Sequence, residues 1–369
     1  MPSSAQSLLP RDTPVQLIDT LGTLTADAAY PAPNTERMMQ AYAALVSGRR
    51  INDQCNALVR QGRLAVYPSS NGQEACQVAA ALALDADDWL FPTYRDSVSV
   101  ITRGVDPAEA MVLLRGDWHS GYDPRVRNVA PQATPLATQL LHAVGFAHAA
   151  KLRGESTVVL AMCGDGATSE GDFHEAMNFA AVFELPVVFF VQNNEFAISV
   201  PLSRQTAAAS LAHKAIGYGM PGQRVDGNDV AALLSVLGEA MGRARSGGGP
   251  TLVEAHTYRM LAHTNADDDT RYRERAEVQA WIDRDPLKRV RAHLVASGAL
   301  DEATEAAFAE IAEETATQLR AAMNAEPEVS PEDLFAFVYA ERPATLDAQW
   351  DILNDEIERT ETERMEPSA

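Results

Sequence analysis

Residues 156–194 read STVVLAMCGDGATSEGDFHEAMNFAAVFELPVVFFVQNN, and this stretch decides the fold class of the chain. It opens with a continuous apolar run at 156–163 and ends with a second at 186–191, each typical of a strand buried on both faces. Between the two runs, apolar residues recur at helical spacing over 170–183. A strand, a helix and a strand at this spacing predict a right-handed βαβ unit in a parallel sheet.

The rest of the chain extends this unit into an α/β fold. A third apolar run at 251–255 predicts another buried strand, and helical spacing at 35–61 predicts a long helix. We therefore expect a doubly wound parallel sheet with flanking helices. The pattern predicts three regions: an irregular, proline-punctuated N-terminal arm at 1–33, an α/β domain at 34–285 and a helical C-terminal region at 286–369.

Composition and charge exclude several classes of function. The 369 residues suffice for a sizeable core, and 46% apolar with 22% charged residues is typical of a soluble globular protein. A net charge of -21 argues against a nucleic-acid partner, because phosphate binding needs clustered Lys and Arg. No apolar run approaches the roughly 18–20 residues that cross a bilayer, so we expect no membrane association.

Two features bear on the cellular compartment. Residues 1–18 lack a basic segment followed by an apolar one, so the sequence predicts no secretory signal. Cys55, Cys76 and Cys163 have spacings unlike those of a zinc site or a disulfide framework, and we expect buried, reduced thiols. Both features predict a cytoplasmic protein.

Polar residues follow both strands of the βαβ unit at the point where each strand ends. Gly164-Asp165-Gly166 comes directly after the first strand, and Asn193-Asn194 directly after the second. Ligands of open α/β sheets bind at the carboxyl ends of the strands, and glycines let the backbone turn and approach a phosphate closely. The N-terminus of the following helix presents free N–H groups at the same place.

These groups predict a magnesium site. The carboxylate of Asp165, the amide oxygen of Asn194 and a nearby backbone carbonyl make a hard but incomplete oxygen shell, which magnesium completes with phosphate oxygens and water. The site therefore predicts a ligand that carries a diphosphate. Each motif alone reads more simply as a turn, and their joint occurrence after two buried strands favours the site.

The segment GDGATSEGDFHEAMNFAAVFELPVVFFVQNNEFAIS at 164–199 resembles the alpha subunits of two-subunit, thiamine-diphosphate-dependent 2-oxo acid dehydrogenases, the pyruvate and branched-chain enzymes. Its Gly-Asp-Gly and Asn-Asn motifs match the thiamine-diphosphate fingerprint. Further blocks that resemble the family, in the family's order, lie at 60–63, 71–75, 91–95, 135–139, 225–228, 258–263 and 268–273. The resemblance covers most of the chain and implies that the sheet is a thiamine-diphosphate-binding fold.

The resemblance also implies which residues form the site. Asp165, Asn194 and the main-chain carbonyl of Phe196 are expected to bind the magnesium ion. The residues expected to contact the cofactor are Tyr94, Arg95, Thr134, Leu136, Gly164, Asp165, Gly166, Ala167, Gln192, Asn194 and His263.

Within that set, two segments are expected to hold the two ends of the cofactor. Tyr94 and Arg95 are expected at the diphosphate, where the planar fork of an arginine suits phosphate oxygens. Thr134 and Leu136 resemble residues whose main chain contacts the aminopyrimidine ring. The same segment resembles a monovalent-cation (potassium) site of some relatives, whose residues here are Ala133, Pro135, Thr138 and Gln139.

His263 is the expected catalytic residue. It lies in a polar loop, 262–270, after a predicted strand, where a core position is not expected. The matching histidine of the family lies beside the diphosphate. An imidazole that titrates near pH 7 suits both the stabilisation of anionic intermediates and transfer to a lipoyl group. His142, His148 and His174 fall within helical stretches and are expected to be structural.

The chain departs from the family pattern at two positions. Gln192 stands where relatives often carry an arginine, so a diphosphate contact there is neutral, and Asn128 stands near the position of a second family histidine. Thr264 occupies the place of a regulatory phosphoserine of eukaryotic relatives. The loop 263–273 carries three consecutive aspartates and few apolar anchors, and we expect it to be mobile until the cofactor binds.

The sequence offers no candidate for the glutamate that activates thiamine. In the family this residue comes from the beta subunit, so the resemblance implies a cofactor held between alpha and beta chains in an assembly of two of each. The implied reaction is decarboxylation of a 2-oxo acid, with the cofactor as electron sink. The acyl group then passes to the lipoyl-bearing acyltransferase core.

Several alternatives stay open at this stage. The Asp-Asp at 268–269 and the TPLATQ stretch at 134–139 favour a branched-chain enzyme over a pyruvate or acetoin enzyme. One methylene is worth only about 1–3 kcal/mol of discrimination, and both subunits line the substrate pocket. A non-catalytic, cofactor-binding homologue is the alternative from another class. A self-contained thiamine decarboxylase is disfavoured, because it needs its own glutamate-bearing domain.

Overall fold

The chain forms two compact units, residues 1–323 and 324–369. The residues that the computed structural model describes are 8–117, 120–326 and 330–365. The first seven residues of the expected arm therefore lie outside the described residues. The predicted division of the chain at 33/34 and 285/286 stays a prediction.

A parallel sheet lies at the centre of the first unit, as the sequence predicts. Five strands pair in parallel throughout. In the order in which they lie side by side, they are β1 (Trp89–Phe91), β2 (Val159–Gly164), β3 (Val187–Asn193), β7 (Thr251–His256) and β6 (Gly222–Asp226). A separate antiparallel pair consists of β4 (Phe196–Ala197) and β5 (Val200–Pro201).

Helices account for most of the remaining chain, and those predicted at 35–61 and 170–183 are confirmed as α1 and α7. The helices of the described residues are α1 (Thr35–Arg60), α2 (Glu74–Leu82), α3 (Ser97–Thr102), α4 (Pro107–Arg115), α5 (Pro124–Arg127), α6 (Thr138–Arg153), α7 (Gly171–Val182), α8 (Val230–Arg245), α9 (Arg275–Ile282), α10 (Pro286–Ala296), α11 (Glu302–Asn324), α12 (Asp333–Ala336) and α13 (Ala344–Met365).

The central strands are buried on both faces, which explains their continuous apolar sequence. In β2, Leu160 and Met162 join a cluster with α1, α2 and α8 on one face. Val159, Ala161 and Cys163 join a second cluster with α6 and α7 on the other face. Because successive side chains of a strand point to opposite faces, one short run of apolar residues serves both clusters. The doubly wound α/β fold is thereby confirmed.

The described part of the N-terminal arm covers the β6 edge of the sheet. Val15 forms a parallel bridge with Val225. The main-chain N–H groups of Leu17 and Ile18 donate to the buried carboxylate of Asp229 at 2.6 and 2.7 Å. An exposed edge strand invites pairing with another chain, and the arm occupies that edge here.

The expectation of buried, reduced cysteines is confirmed in the described residues. Cys55, Cys76 and Cys163 are buried and form no disulfide, and burial raises the pKa of each thiol. Among the described residues, no helix combines the length and the apolar character that a bilayer crossing requires.

The second unit is helical, as predicted for the end of the chain. It contains α12 and α13, whose Phe335 and Trp350 rings lie 5.7 Å apart in an edge-to-face arrangement. Arg342 forms an ion pair with Glu332 within the same unit.

Candidate active site

One cavity at the carboxyl ends of β2 and β3 is lined by every residue that the sequence predicts for the site. Its volume is about 500 Å³. The predicted residues that line it are Tyr94, Arg95, Thr134, Leu136, Gly164, Asp165, Gly166, Ala167, Gln192, Asn194, Phe196 and His263. The structure therefore brings these residues together, and their individual roles stay predictions.

Asp165 is buried at the point where β2 ends. Its side chain accepts a hydrogen bond from Gln205 Nε2 at 2.6 Å, and burial raises the pKa of its carboxyl to about 6. Gly166 follows it, and a Cβ atom built there would stand 2.7 Å from the Cβ of Ala197. The close approach of the β4 segment explains why a glycine is needed after the aspartate.

Asn194 is oriented by a chain of buried side-chain amides. Its Nδ2 donates to Gln73 Oε1 at 2.8 Å, and Gln73 Nε2 donates to Gln192 Oε1 at 3.1 Å. Gln192 Nε2 in turn donates to Asp96 Oδ1 at 2.7 Å. With its NH₂ group so occupied, Asn194 has its amide oxygen left as an acceptor, which receives only a 3.3 Å bond from the Phe196 N–H.

The main-chain carbonyl of Phe196 is held by an arginine that lacks a predicted role. Arg259 is 1% exposed, and its guanidinium donates to the carbonyls of Phe196 at 3.2 Å and Ile198 at 2.6 Å. A carbonyl oxygen has two lone pairs, so Phe196 can accept this bond and a second interaction. Arg259 thus fixes the backbone that carries the third predicted metal ligand.

The donor set fits a magnesium ion that shares its ligands with a diphosphate. No group of three or more His, Cys, Asp or Glu side chains in the described residues could hold a metal by itself. Asp165, Asn194 and the Phe196 carbonyl supply three hard oxygens, which leaves positions for phosphate oxygens and water. Within the described part of the chain, the Cβ direction of Gly164 is open and the buried Gln205 Oε1 has no partner, so the site has both room and polarity for such a ligand.

His263 lies between two guanidinium groups. Arg95 Nη2 lies 3.1 Å from its Nδ1 and donates to its main-chain carbonyl at 3.0 Å, while Arg259 Nη1 lies 3.5 Å from the same Nδ1. A guanidinium can only donate, so Nδ1 accepts and the proton of the neutral ring is on Nε2. Burial, then Arg95 and Arg259, lower the pKa of His263 to about 4. The expected titration near pH 7 is therefore wrong for the chain without a ligand.

The segment 133–139 is hydrogen-bonded to the residues that follow β1, among them Tyr94. The Tyr94 N–H donates to the Ala133 carbonyl at 3.0 Å, and the Tyr94 ring meets the His263 ring edge-on at 6.2 Å. Gln139 Nε2 donates to the Met162 carbonyl at 2.7 Å, and its buried Oε1 has no partner among the described residues. Of the residues expected for a potassium site, Thr138 alone does not line the cavity.

Comparison with known proteins decides the family. The family model described as "Dehydrogenase E1 component" matches residues 43–332. The chain belongs to the dehydrogenase E1 component family. Recognition of this family and of its oxidoreductase class from the sequence is confirmed.

Curated relatives match this E1 chain over nearly its whole length. A protein of Mycobacterium tuberculosis (strain CDC 1551 / Oshkosh), named 3-methyl-2-oxobutanoate dehydrogenase subunit alpha, is 48% identical over 349 residues, which cover 94% of this chain and 95% of the relative. A protein of Staphylococcus aureus (strain Mu50 / ATCC 700699), named pyruvate dehydrogenase E1 component subunit alpha, is 37% identical over 345 residues, which cover 92% of each chain.

Sequence reasoning missed four residues that organise the site of this E1 chain. They are Gln73, Asp96, Gln205 and Arg259. Gln73 and Arg259 stood inside family blocks at 71–75 and 258–263, and for Arg259 a charge amid apolar neighbours was a further signal. Asp96 and Gln205 offered no signal, because their partners are distant in sequence.

Asn128 lies apart from the cavity of this E1 chain. It has a left-handed backbone with φ of 53°, and its side chain donates to the Ala86 carbonyl at 3.0 Å. It is not among the lining residues, whereas Thr264 is. The described lining residues include two carboxylates, Asp165 and the exposed Glu170.

Proposed function

We propose that this E1 chain is the alpha subunit of a thiamine-diphosphate-dependent 2-oxo acid dehydrogenase that decarboxylates a branched-chain 2-oxo acid. The observation that carries the proposal is the convergence of Asp165, Asn194 and the Phe196 carbonyl with Arg95 and His263 on one cavity. The higher identity to the relative named for 3-methyl-2-oxobutanoate supports a branched-chain substrate.

The chain's own residues hold the diphosphate end of the cofactor. Asp165, Asn194 and the Phe196 carbonyl bind one magnesium ion, and Tyr94 and Arg95 meet the diphosphate. When bound, thiamine diphosphate supplies the electron sink that decarboxylation requires. The remaining contacts come from Gly164, Gly166, Ala167, Gln192 and the main chain of Thr134 and Leu136. A potassium ion occupies the segment of Ala133, Pro135, Thr138 and Gln139.

His263 acts on the reacting end as a neutral hydrogen-bond donor. Arg95 and Arg259 fix its Nδ1 as an acceptor, so its Nε2–H is the group available to the cavity. A preoriented donor stabilises negative charge that develops during a reaction, and it needs no titration near pH 7 to do so. The same N–H assists the transfer of the acyl group to a lipoyl arm.

Partners complete the active site. Of the two carboxylates among the described lining residues, Asp165 is committed to the metal, and Glu170 lies exposed at the N-cap of α7. A beta subunit supplies the activating glutamate, in an assembly of two alpha and two beta chains, and a lipoyl-bearing acyltransferase core accepts the acyl group. The complex works in the cytoplasm. Residues 34–285 form its cofactor domain, between the arm at 1–33 and the helical region at 286–369.

A pyruvate dehydrogenase alpha subunit is the second candidate, supported by the 37% identical staphylococcal relative. An acetoin dehydrogenase subunit and a non-catalytic cofactor-binding homologue are the outcomes left for the test.

Co-expression of this chain with its beta subunit tests the proposal. Reduction of an artificial electron acceptor is assayed with thiamine diphosphate and Mg²⁺, and 3-methyl-2-oxobutanoate is compared with pyruvate and acetoin. We expect turnover that needs both chains, prefers the branched-chain acid and disappears in Asp165→Ala. Preference for pyruvate would assign the second candidate, and cofactor binding without any turnover would assign the non-catalytic homologue.

A further inference from the structure

Glu195 stands between two predicted metal ligands in a backbone conformation that few non-glycine residues adopt. Its φ is 72°, in the left-handed region, where a side chain is unfavourable by about 1 kcal/mol. Its neighbours are Asn194, whose amide oxygen is a predicted ligand, and Phe196, whose carbonyl is another. The conformation of Glu195 therefore sets the direction of both ligands.

A hydrogen bond from another strand holds the Glu195 side chain. Its Oε1 lies 2.5 Å from Nε2 of His256, the last residue of β7. The two residues are far apart in sequence, and the link spans the gap between the loop after β3 and the end of the neighbouring strand. At its main chain, the Glu195 carbonyl accepts a bond from the Leu202 N–H at 2.9 Å.

The same link continues through aromatic contacts and returns to the metal loop. The His256 ring meets the Trp281 ring edge-on at 5.3 Å, and Trp281 stacks on Tyr258 at 5.5 Å with an interplanar angle of 12°. Tyr258 meets the ring of Phe196 edge-on at 5.9 Å. Glu195, His256, Trp281, Tyr258 and Phe196 thus form a closed loop of contacts, which we call the clamp ring.

Trp281 gives the clamp ring an anchor outside the sheet. It lies on α9, a helix in which no residue is fully buried, and it stacks on Tyr258, which is fully buried. The guanidinium carbon of Arg284 lies 4.9 Å from the Trp281 ring centroid. The ring therefore joins α9 to the loop that carries Asn194 and Phe196.

We propose that the clamp ring is a positioning device for the metal site: Glu195 and His256 hold the loop 194–196 in the geometry that binds a divalent cation with a diphosphate, and Trp281 braces His256. The inference rests on the proposed function. None of the three residues lines the cavity, so each acts through Asn194 and Phe196.

Binding of Mg²⁺ to the complex of this chain with its beta subunit tests the inference. Titration calorimetry at saturating thiamine diphosphate is run on the wild type, Glu195→Ala, His256→Ala and the double variant. One hydrogen bond with a charged partner corresponds to about tenfold in affinity, so we expect each single variant to bind Mg²⁺ about tenfold more weakly. The double variant is expected to bind no more weakly than either single one, because both remove the same bond.

Further variants separate positioning from general damage. Glu195→Gly relieves the left-handed φ yet lacks the carboxylate, and we expect it to bind Mg²⁺ as weakly as Glu195→Ala. Trp281→Phe retains a ring and is expected to bind Mg²⁺ with near-wild-type affinity. Trp281→Ala has no ring and is expected to bind Mg²⁺ more weakly. His293→Ala serves as the matched control. It removes a histidine on α10 whose Nδ1 lies 3.2 Å from the Gly22 carbonyl. At saturating Mg²⁺, kcat of Glu195→Ala is expected to stay within about twofold of the wild type.

Three results overturn the inference alone, and a fourth overturns it together with the proposed function. Additive losses in the double variant, or wild-type affinity in Glu195→Gly, would mean that the Glu195–His256 bond does not position the ligands. A wild-type complex that binds no Mg²⁺ with thiamine diphosphate would overturn the proposed function and the inference together. Binding by the wild type and equally by Glu195→Ala and His256→Ala would overturn the inference alone.

Discussion

The two sides of the cavity are built differently. The metal side consists of strand ends, where Asp165 and Asn194 are 1% and 6% exposed and neutral amides orient them. The opposite side is the loop 262–273, which has one short 3-10 turn and is held by charged and hydroxyl groups. The difference indicates that the predicted metal ligands are preformed, and that the order of the loop carrying His263 depends on links that a ligand can replace.

Besides the bonds from Arg95 to His263, the loop is held by polar links among residues 259–273. Asp267 accepts from the His263 N–H at 2.7 Å, Arg259 donates to the Tyr272 hydroxyl at 2.8 Å, and Arg273 pairs with Asp269. In the Arg273–Asp269 pair, the arginine side chain is 2% exposed and the aspartate side chain is 29% exposed. The metal side, by contrast, is embedded between two buried apolar clusters.

The largest effect is expected from Asp165→Asn, on the preformed side. Turnover of the complex should fall at least about 100-fold, because the metal loses its carboxylate ligand. The free energy of unfolding of the metal-free chain at pH 7 should rise, because a neutral amide avoids the cost of burying a charge. That cost is what raises the pKa of Asp165 to about 6. Enzyme assays measure the fall in turnover, and thermal unfolding measures the rise in stability. Metal-dependent turnover at the wild-type rate would contradict the assignment.

On the loop side, His263→Gln should lower kcat about 100-fold and leave the affinity for thiamine diphosphate within about fivefold. The reason is that the imidazole serves the reacting end, while Arg95 and the metal hold the diphosphate. Steady-state kinetics and titration calorimetry separate the two quantities, and His293→Gln is the matched control. If the affinity for thiamine diphosphate fell as much as kcat, His263 would be a cofactor-binding residue and not a catalytic one.

Limited proteolysis tests whether the two sides differ in order. Trypsin should cut at exposed Arg271 about tenfold more slowly once thiamine diphosphate and Mg²⁺ are bound, because the cofactor stabilises the closed loop. Cleavage at Arg153, whose side chain is 70% exposed at the end of α6, should not change. Equal cutting at Arg271 with and without cofactor would show that the loop is ordered by its own links.

The smallest effect concerns pH and the free energy of unfolding. The pKa of His263 is lowered from 6.5 to about 4 by burial and two arginines, so its stabilising contribution is complete above pH 6.5 and is lost as pH falls towards 4. Because the ring is partly exposed, screening reduces this loss to about 1–2 kcal/mol. Denaturant unfolding of the wild type and His263→Gln at pH 4.5 and 7.5 measures it. If the free energy of unfolding fell equally in the wild type and in His263→Gln, groups other than His263 would cause the loss.

The sequence was sufficient where a motif and a strand end coincide. Gly164-Asp165-Gly166 and Asn193-Asn194 each follow a buried apolar run, and register then forces them together at one edge of the sheet. The parallel sheet followed from the same runs, because only strands covered on both faces carry continuous apolar sequence.

What the sequence left out depends on long-range packing. The pKa of His263 is lowered first by burial and then by Arg95, which is distant in sequence, and the titration predicted near pH 7 took neither into account. Gln205 and Gln73 bond the predicted metal ligands Asp165 and Asn194 from distant segments of the chain, so these contacts could not be read from local sequence. The Glu195–His256 bond likewise exists only once β3 and β7 lie side by side.

A crystal structure of the alpha–beta complex with thiamine diphosphate and Mg²⁺ tests the central claim most directly. The account predicts one Mg²⁺ ion about 2.0–2.1 Å from the Asp165 carboxylate, the Asn194 amide oxygen and the Phe196 carbonyl, with diphosphate oxygens completing its octahedron. An ion bound by other residues, or a diphosphate at the opposite end of the cavity, would contradict it.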